Sequence, residues 1–416
     1  MDALNTHCVI AGGGPAGLMC GYLLARAGVD VWVLEKHADF LRDFRGDTIH
    51  PSTLELMHEL GLLEKFLKRP HDTVTEVAAE IGKDRFRFAD LTRLPTRCKF
   101  MVFMPQWDFL NFLLEEARQF PNFHIAMEAE VRELLARRRR IIGVRVRTPE
   151  GTGDILARLV IGADGRSSTV RAKAKLKVKD IGAPFDVLWM RLPAEPGDPR
   201  EPVGRFAGGG FFIMLNRTTY WQCAMVIPKG GFTALKAEGI SGFRARLRGL
   251  AGFARDRVEA IESFDDVKLL TVTIDRLTRW WRLGLLCIGD AAHAMSPVGG
   301  VGINLAIQDA VAAANVLAPI LKRRAPRRSE LKRIQARREF PTRVTQWVQV
   351  RIQNNVLAST IRSQVTPRAP LFLHLLNHWR WLRQWPARFV GIGVRPEHVR
   401  TPVEKREPRP ADNAPT

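Results

Sequence analysis

The sequence predicts an α/β fold: a Rossmann-like domain on a parallel sheet, interleaved with a mostly antiparallel β-sheet domain and followed by C-terminal helices. Three observations carry that expectation. A strand, glycine turn, helix and second strand open the chain; two apolar strands further on each run into a loop bearing glycine and aspartate; and strands of period two fill the stretches between them. At 416 residues the chain exceeds what one small core serves, and its 46% hydrophobic and 26% charged residues are those of a globular protein, not a disordered or fibrous one.

The opening unit is the clearest. The apolar run His7-Cys8-Val9-Ile10-Ala11 is followed by Gly12-Gly13-Gly14-Pro15-Ala16-Gly17, then by Leu18, Met19, Leu23, Leu24 and Ala27 at helical spacing. Gly28 stops that helix, and residues 29–34 read as a buried strand ending in Glu35. In such a βαβ unit Gly12 permits the tight turn, Gly14 lets a pyrophosphate approach the backbone, and Gly17 lets helix and strand pack closely. The helix N-terminus supplies N–H groups to phosphate. Glu35, about 20 residues past the first glycine, can offer a carboxylate to a ribose hydroxyl pair. The pattern predicts dinucleotide binding.

Two later transitions carry an aspartate. Residues 156–161 lead into Gly162-Ala163-Asp164-Gly165-Arg166-Ser167-Ser168-Thr169-Val170-Arg171, and residues 285–288 lead into Gly289-Asp290-Ala291-Ala292-His293, with Pro297-Val298-Gly299-Gly300-Val301-Gly302-Ile303-Asn304 following. Pro297 lacks an N–H, and Gly299, Gly300 and Gly302 lack side chains, so a flat ring can lie against this loop. The helix starting near Val301 would turn its positive dipole end toward that ring.

With three such fingerprints in this order, residues 7–325 resemble the single-component (class A) flavoprotein monooxygenases of the aromatic-hydroxylase type. The resemblance implies a Rossmann-like FAD-binding domain of the GR2 type. It implies that FAD is reduced by NAD(P)H and reacts with O2 to a flavin hydroperoxide that hydroxylates an aromatic or other electron-rich small molecule. Asp164, with Gly165, Ser168 and Arg171, matches a motif serving FAD and NAD(P)H; Gly289 and Asp290 match one that holds the ribityl and pyrophosphate part of FAD. Arg45 corresponds to an arginine that pairs with FAD phosphate, Gln106 to a polar residue near the ribityl chain, and Val131 to a strand end near the adenine. The cofactor-binding set is therefore Gly12, Gly14, Pro15, Ala16, Gly17, Glu35, Lys36, Arg45, Gln106, Val131, Asp164, Asp290, Pro297, Gly299, Gly300, Val301, Gly302, Ile303 and Asn304. No catalytic residue or metal ligand is nominated. His293 is read as a flavin-region contact or a packing histidine, and Arg217 and Tyr220, at a strand turn, as substrate contacts or solvated loop residues.

The remaining chain sorts by pattern. Residues 1–75, 106–180 and 276–325 form the expected FAD-binding domain, and 76–105 with 181–275 a sheet that lids the flavin and bounds the substrate cleft. Residues 326–400 read as a C-terminal helical region and 401–416 as a disordered tail. Trp379, Trp381 and Trp385 mark a peripheral membrane contact, a homodimer contact or core packing. The formal charge of +21 comes from dispersed arginines and a tetra-arginine turn at residues 137–140, without base-stacking aromatics, which argues against nucleic acid. Five scattered cysteines without a C-x-x-C pair read as buried hydrophobes in a reducing compartment, and the start of the chain has no signal-peptide pattern, so the expected location is the cytoplasm. A reductase or saturase, a halogenase of the same fold, and a flavin protein without turnover are the alternatives. Trp280-Trp281 does not form the tryptophan-x-tryptophan-x-isoleucine-proline signature of the related halogenases.

Overall fold

Neighbouring strands whose ends lie level with one another organise the first half of the molecule. In this computed structural model, which describes residues 4–41, 48–82, 84–207, 210–357 and 371–404, the first sheet has the spatial order Trp281–Arg282, Leu285–Cys287, Gly151–Gly162, β1 (Leu4–Ala11), β2 (Val31–Leu34) and Phe123–Ala126. From Leu285–Cys287 onward these strands run parallel. Parallel strands are covered on both faces and so read as unbroken apolar runs; Cys8, Val9 and Ile10 are fully buried.

One face is covered by α1 (Pro15–Arg26), which lies so close to β2 that a Cβ on Gly21 would stand 2.9 Å from Val33 Cγ2. Against α1 packs the helix Gly302–Leu321 through its alanine-rich face. That helix is long and apolar enough to span a membrane, but it is mostly buried as the core helix of this domain. The long strand Gly151–Gly162 continues into an antiparallel ladder with Arg140–Thr148 and Glu130–Arg137, whose turn at Arg138 and Arg139 is left-handed. Ala129 to Val131 therefore opens a strand and does not end one. The left-handed backbone at Glu128 (φ 53°) separates it from Phe123–Ala126.

The second sheet runs Lys268–Leu270, Phe185–Pro193, Tyr220–Pro228, Gly210–Asn216, Val203–Ala207, Glu76–Ile81 and Asp84–Asp90. It is antiparallel except where Val203–Ala207 meets Glu76–Ile81. Its period of two is a division of labour. Leu188, Met190, Phe212, Cys223 and Met225 face Gly239–Leu250 and the turns around it. Val187, Trp189, Phe211, Ile213, Ala224 and Val226 face the other way, into a cavity. Sequence and structure thus agree on an α/β architecture with an interleaved, mostly antiparallel sheet and C-terminal helices.

Among those helices, Arg328–Ile352 buries a polar stripe of Arg338, Thr342, Thr345, Gln346 and Gln349. Further on, Gln384–Gly391 packs Ala387 and Gly391 beside Leu91 and Leu94, while Trp379, Trp381 and Trp385 are exposed. Core packing is thus excluded for those three tryptophans. All five cysteines are buried and free, and burial pushes the Cys20 thiol up to about 12, so it stays protonated at neutral pH.

Candidate functional site

Register brings the three fingerprints together. Ala11 on β1 lies opposite Gly162, and Gly162 opposite Cys287, so three strands end at one level and their loops open side by side, the position where ligands sit on open α/β sheets. Backbone bonds lock the junction: Ala163 N donates to Ala11 O (2.8 Å), Ile288 N to Gly162 O (2.9 Å), and Gly12 N to Leu34 O (2.7 Å). Gly12 has φ +103°, and a Cβ there would stand 2.4 Å from Ala163 O. Gly17 serves the same close approach, since its Cβ would stand 1.9 Å from Gly12 O.

At this junction begins a cavity of about 1650 Å³ that extends to the apolar face of the second sheet. Gly12, Gly14, Pro15, Ala16, Glu35, Lys36, Gln106, Val131, Asp164 and Asp290 line it, and so do Pro297, Gly299, Gly300, Val301, Gly302 and Ile303. Gly17 and Asn304 lie behind that wall. Asn304 Oδ1 accepts from His50 N (2.9 Å) and Thr53 Oγ1 (2.7 Å), and its Nδ2 donates to Thr48 O (3.1 Å), which ties the third fingerprint to the helix Pro51–Glu59. Arg45 falls outside the described residues. Arg217 and Tyr220 are not part of the wall: Arg217 Nε donates to Gln222 Oε1, and the Tyr220 ring carries Arg191.

The cradle suits an anionic dinucleotide with a flat ring. Two helices, α1 and Gly302–Leu321, begin at this cavity, and neither N-terminus has a side-chain cap. Their first-turn N–H groups and dipole ends are thus available to phosphate or to a ring edge that becomes negative. A Cβ on Gly14 would meet nothing within 4 Å, so the space above this turn is open. Glu35 is anchored in place, with Oε2 accepting from Gly13 N (2.9 Å) and Oε1 from His37 N (3.2 Å). At the other end, Gly299 and Gly300 take left-handed conformations (φ 81° and 62°), and a Cβ on Gly300 would collide with Thr48 Oγ1.

Asp164 is half-buried and its carboxylate works inward. It accepts from Ser168 Oγ (2.5 Å) and Val170 N (3.0 Å), setting the start of the helix Thr169–Lys173. Burial pushes its carboxyl up, partly offset by those donors. Asp290 is half-buried and pairs with Arg166 Nε at 3.0 Å. Arg166 is the site residue that sequence reasoning passed over. It lines the cavity, bridges the second and third fingerprints, and has a buried Nη1 without a partner among the described residues. Its place between Gly165 and Ser167 was the available signal.

His293 is not in the cavity. Its Nε2 donates to Asp309 Oδ2 (2.5 Å); Asp309 also accepts from Gly289 N (3.1 Å) and, through Oδ1, from Arg338 Nε (2.9 Å). Burial works against ionisation of Asp309, but His293 and Arg338 outweigh it and hold the carboxyl below its ordinary value.

A second buried histidine, His50, sits behind the glycine loop. Its Nδ1 donates to Val390 O (2.7 Å), since a carbonyl can only accept. Burial lowers its pKa from 6.5 to about 4, partly offset by that bond. The unfolded chain therefore takes up this proton first as pH falls below 6.5, and stability is lost between pH 6.5 and 4. Urea unfolding should show about 2–3 kcal/mol less stability at pH 4.5 than at pH 7 from this group alone. In His50→Asn, whose amide N–H can replace Nδ1–H, that part of the decline should vanish; equal slopes for the two proteins would refute the assignment.

Residues 5–348 match the family described as the FAD binding domain. The 6-methylpretetramide 4-monooxygenase of Streptomyces rimosus is 34% identical over 416 residues, spanning 98% of this chain and 97% of that protein. A rifampicin monooxygenase of Streptomyces venezuelae is 30% identical over 324 residues, spanning 73% of this chain and 62% of that longer protein. P. aeruginosa PqsL, solved in complex with 2-aminobenzoylacetate, superposes with a TM-score of 0.74 at 22% identity over 86% of this chain and 98% of its own, a likeness of fold. A paired set of uncapped helix ends over an open glycine turn is thus seen in a chain that belongs to the FAD binding domain family, and the protein is a flavin-dependent monooxygenase.

Proposed function

We propose that the enzyme uses NAD(P)H and O2 to hydroxylate an extended, fused-ring aromatic compound, with the three fingerprints holding FAD between the two sheets. The observation that carries this reading is the continuity of the cavity. Its glycine-turn end opens into a chamber walled by Phe86, Phe185, Trp189, Phe206, Phe211 and Phe372. At about 1650 Å³ it exceeds the roughly 300–1,000 Å³ of a drug-sized pocket, leaving room for a second ligand beside a dinucleotide. The full-length relative from S. rimosus, whose name specifies a polycyclic substrate, supports the same class.

Bound FAD would supply the hydride acceptor and the activation of oxygen. The chain's own work is to hold, orient and keep dry. The N–H groups at the start of α1 would bind the pyrophosphate, Asp290 would accept from cofactor hydroxyls, and the start of Gly302–Leu321 would face the ring edge that gains negative charge. The aromatic walls exclude water and stack on a flat substrate.

The test is NADPH and NADH oxidation by the purified yellow protein across a panel of one- to four-ring phenols, with product masses recorded. Oxidation accelerated by a multi-ring phenol, with a product heavier by one oxygen, is expected. Halogenated or hydrogenated products, or flavin that no nicotinamide reduces, would overturn the reading. Asp290→Ala should keep the fold, because the residue is half-buried at the cavity edge, and should weaken FAD retention about tenfold, the worth of one hydrogen bond to a charged group. Unchanged FAD affinity, measured by dialysis and flavin fluorescence, would remove Asp290 from the cofactor site.

A further inference from the structure

Residues 340–396 hold eight arginines and no aspartate, glutamate or lysine, in a chain that elsewhere mixes both signs. The same stretch exposes its large apolar side chains. On the helix Leu371–His378, Leu371, Phe372 and Leu375 stand outward at helical spacing, and Trp379, Trp381 and Trp385 continue the patch past its end. Leu371 is 83% exposed and Trp385 72%. The patch is nonetheless fixed in place. Arg383 Nε donates to Leu376 O (2.8 Å) and its Nη2 to Asn377 O (2.6 Å), and the His374 ring meets Phe86 of the second sheet edge to face at 5.0 Å. Phe372 and Trp385 are exposed and also line the cavity, so its mouth opens within the patch.

An exposed apolar patch of this size marks a contact surface, and its charge decides the partner. A second copy of the chain is disfavoured, because a two-fold interface sets the patch against itself, arginine facing arginine with no carboxylate in the segment between them. The run Trp379-Arg380-Trp381-Leu382-Arg383-Gln384-Trp385 suits a lipid boundary instead, where indole rings settle at headgroup level and arginine reaches phosphate. Arg380 and Arg388 are exposed and can do so, whereas Arg383 is committed to the backbone. We propose that this face docks on an anionic membrane surface and seats the cavity mouth against the lipid. An apolar ring compound then reaches the chamber without crossing water. That route rests on the aromatic-substrate reading above; the docking does not.

Flotation of the purified protein with vesicles tests it. Binding to phosphatidylcholine vesicles containing about 30% phosphatidylglycerol should be about tenfold or more tighter than to phosphatidylcholine alone, and should weaken as salt rises. Trp379→Ser/Trp381→Ser/Trp385→Ser should weaken it about tenfold or more, and Arg380→Glu/Arg388→Glu should abolish the preference for phosphatidylglycerol. All five side chains are exposed, so thermal unfolding of both variants should match wild type. Arg138→Glu/Arg139→Glu, at the exposed turn of the other sheet, makes the same charge change and should bind as wild type does. No vesicle binding, an equal loss in the turn variant, or a dimer that the tryptophan variant dissolves in place of vesicle binding would each overturn the proposal. Docking without nicotinamide oxidation would leave it standing and count against the proposed reaction instead.

Discussion

Gly14→Glu protein should purify folded and colourless. The backbone at Gly14 (φ −74°, ψ −174°) is ordinary extended chain that any residue adopts, and an added Cβ meets nothing within 4 Å. The substitution therefore has room within the apoprotein. What it fills is the open space at the start of α1. A carboxylate there would enjoy the uncapped N–H groups and the positive dipole end, and so would compete for what the proposed pyrophosphate needs. We expect FAD affinity to fall at least 100-fold, about 2.7 kcal/mol, with the thermal unfolding of the apoprotein little changed. Gly12→Ala is the contrast. There φ is +103° and the methyl would stand 2.4 Å from Ala163 O, so instability precedes any effect on the cofactor. Yellow Gly14→Glu protein with a full complement of FAD would remove the diphosphate from this turn.

The largest loss of stability should come from Arg338→Leu. Arg338 is 1% exposed and links Asp309 to Glu397 through Nε and Nη1, while Asp309 is fully buried and also holds His293 and Gly289 N. Removing the guanidinium takes one cation from each of two buried carboxylates, leaving Asp309 with His293 and Gly289 N and Glu397 with Arg337, a change that costs about 3–5 kcal/mol for broken buried pairs. Urea unfolding at pH 7 measures it. Because the folded-state pKa of Asp309 is depressed, the ion-pair contribution is present above the ordinary carboxyl pKa and disappears as pH falls through the folded value. The gap between wild type and variant should accordingly narrow in strong acid. A loss below about 1 kcal/mol at pH 7 would mean that this network is not what holds Gly302–Leu321 against Arg328–Ile352.

The parts of the site that were legible in the sequence are those whose signal is local. The turn after Ala11 needs Gly12 for a positive φ, and the strands entering it are buried on both faces, so composition and order disclose them together. The period-two runs near Phe211 and Tyr220 likewise mark one apolar face toward helices and one toward the cavity. What the sequence hid depends on partners far along the chain. Gln349 and Arg338 look like the solvent side of an amphipathic helix, because their carbonyl and carboxylate partners lie 29 to 59 residues away. Val131 was placed at the wrong end of its strand because the break at Glu128 is made by a non-glycine residue in a left-handed conformation, which leaves no compositional mark.

The parallel sheet gathers its strands from widely separated places: Leu4–Ala11 must wait for Gly151–Gly162, and that strand for Leu285–Cys287. A nascent chain emerging from the ribosome would expose the sticky edge of its first strand through some 150 residues of synthesis before Gly151–Gly162 arrives, and the edge of that strand until Leu285–Cys287 follows. Slower translation, lower growth temperature or added chaperone should therefore raise the recovered yield more than any change to the surface would.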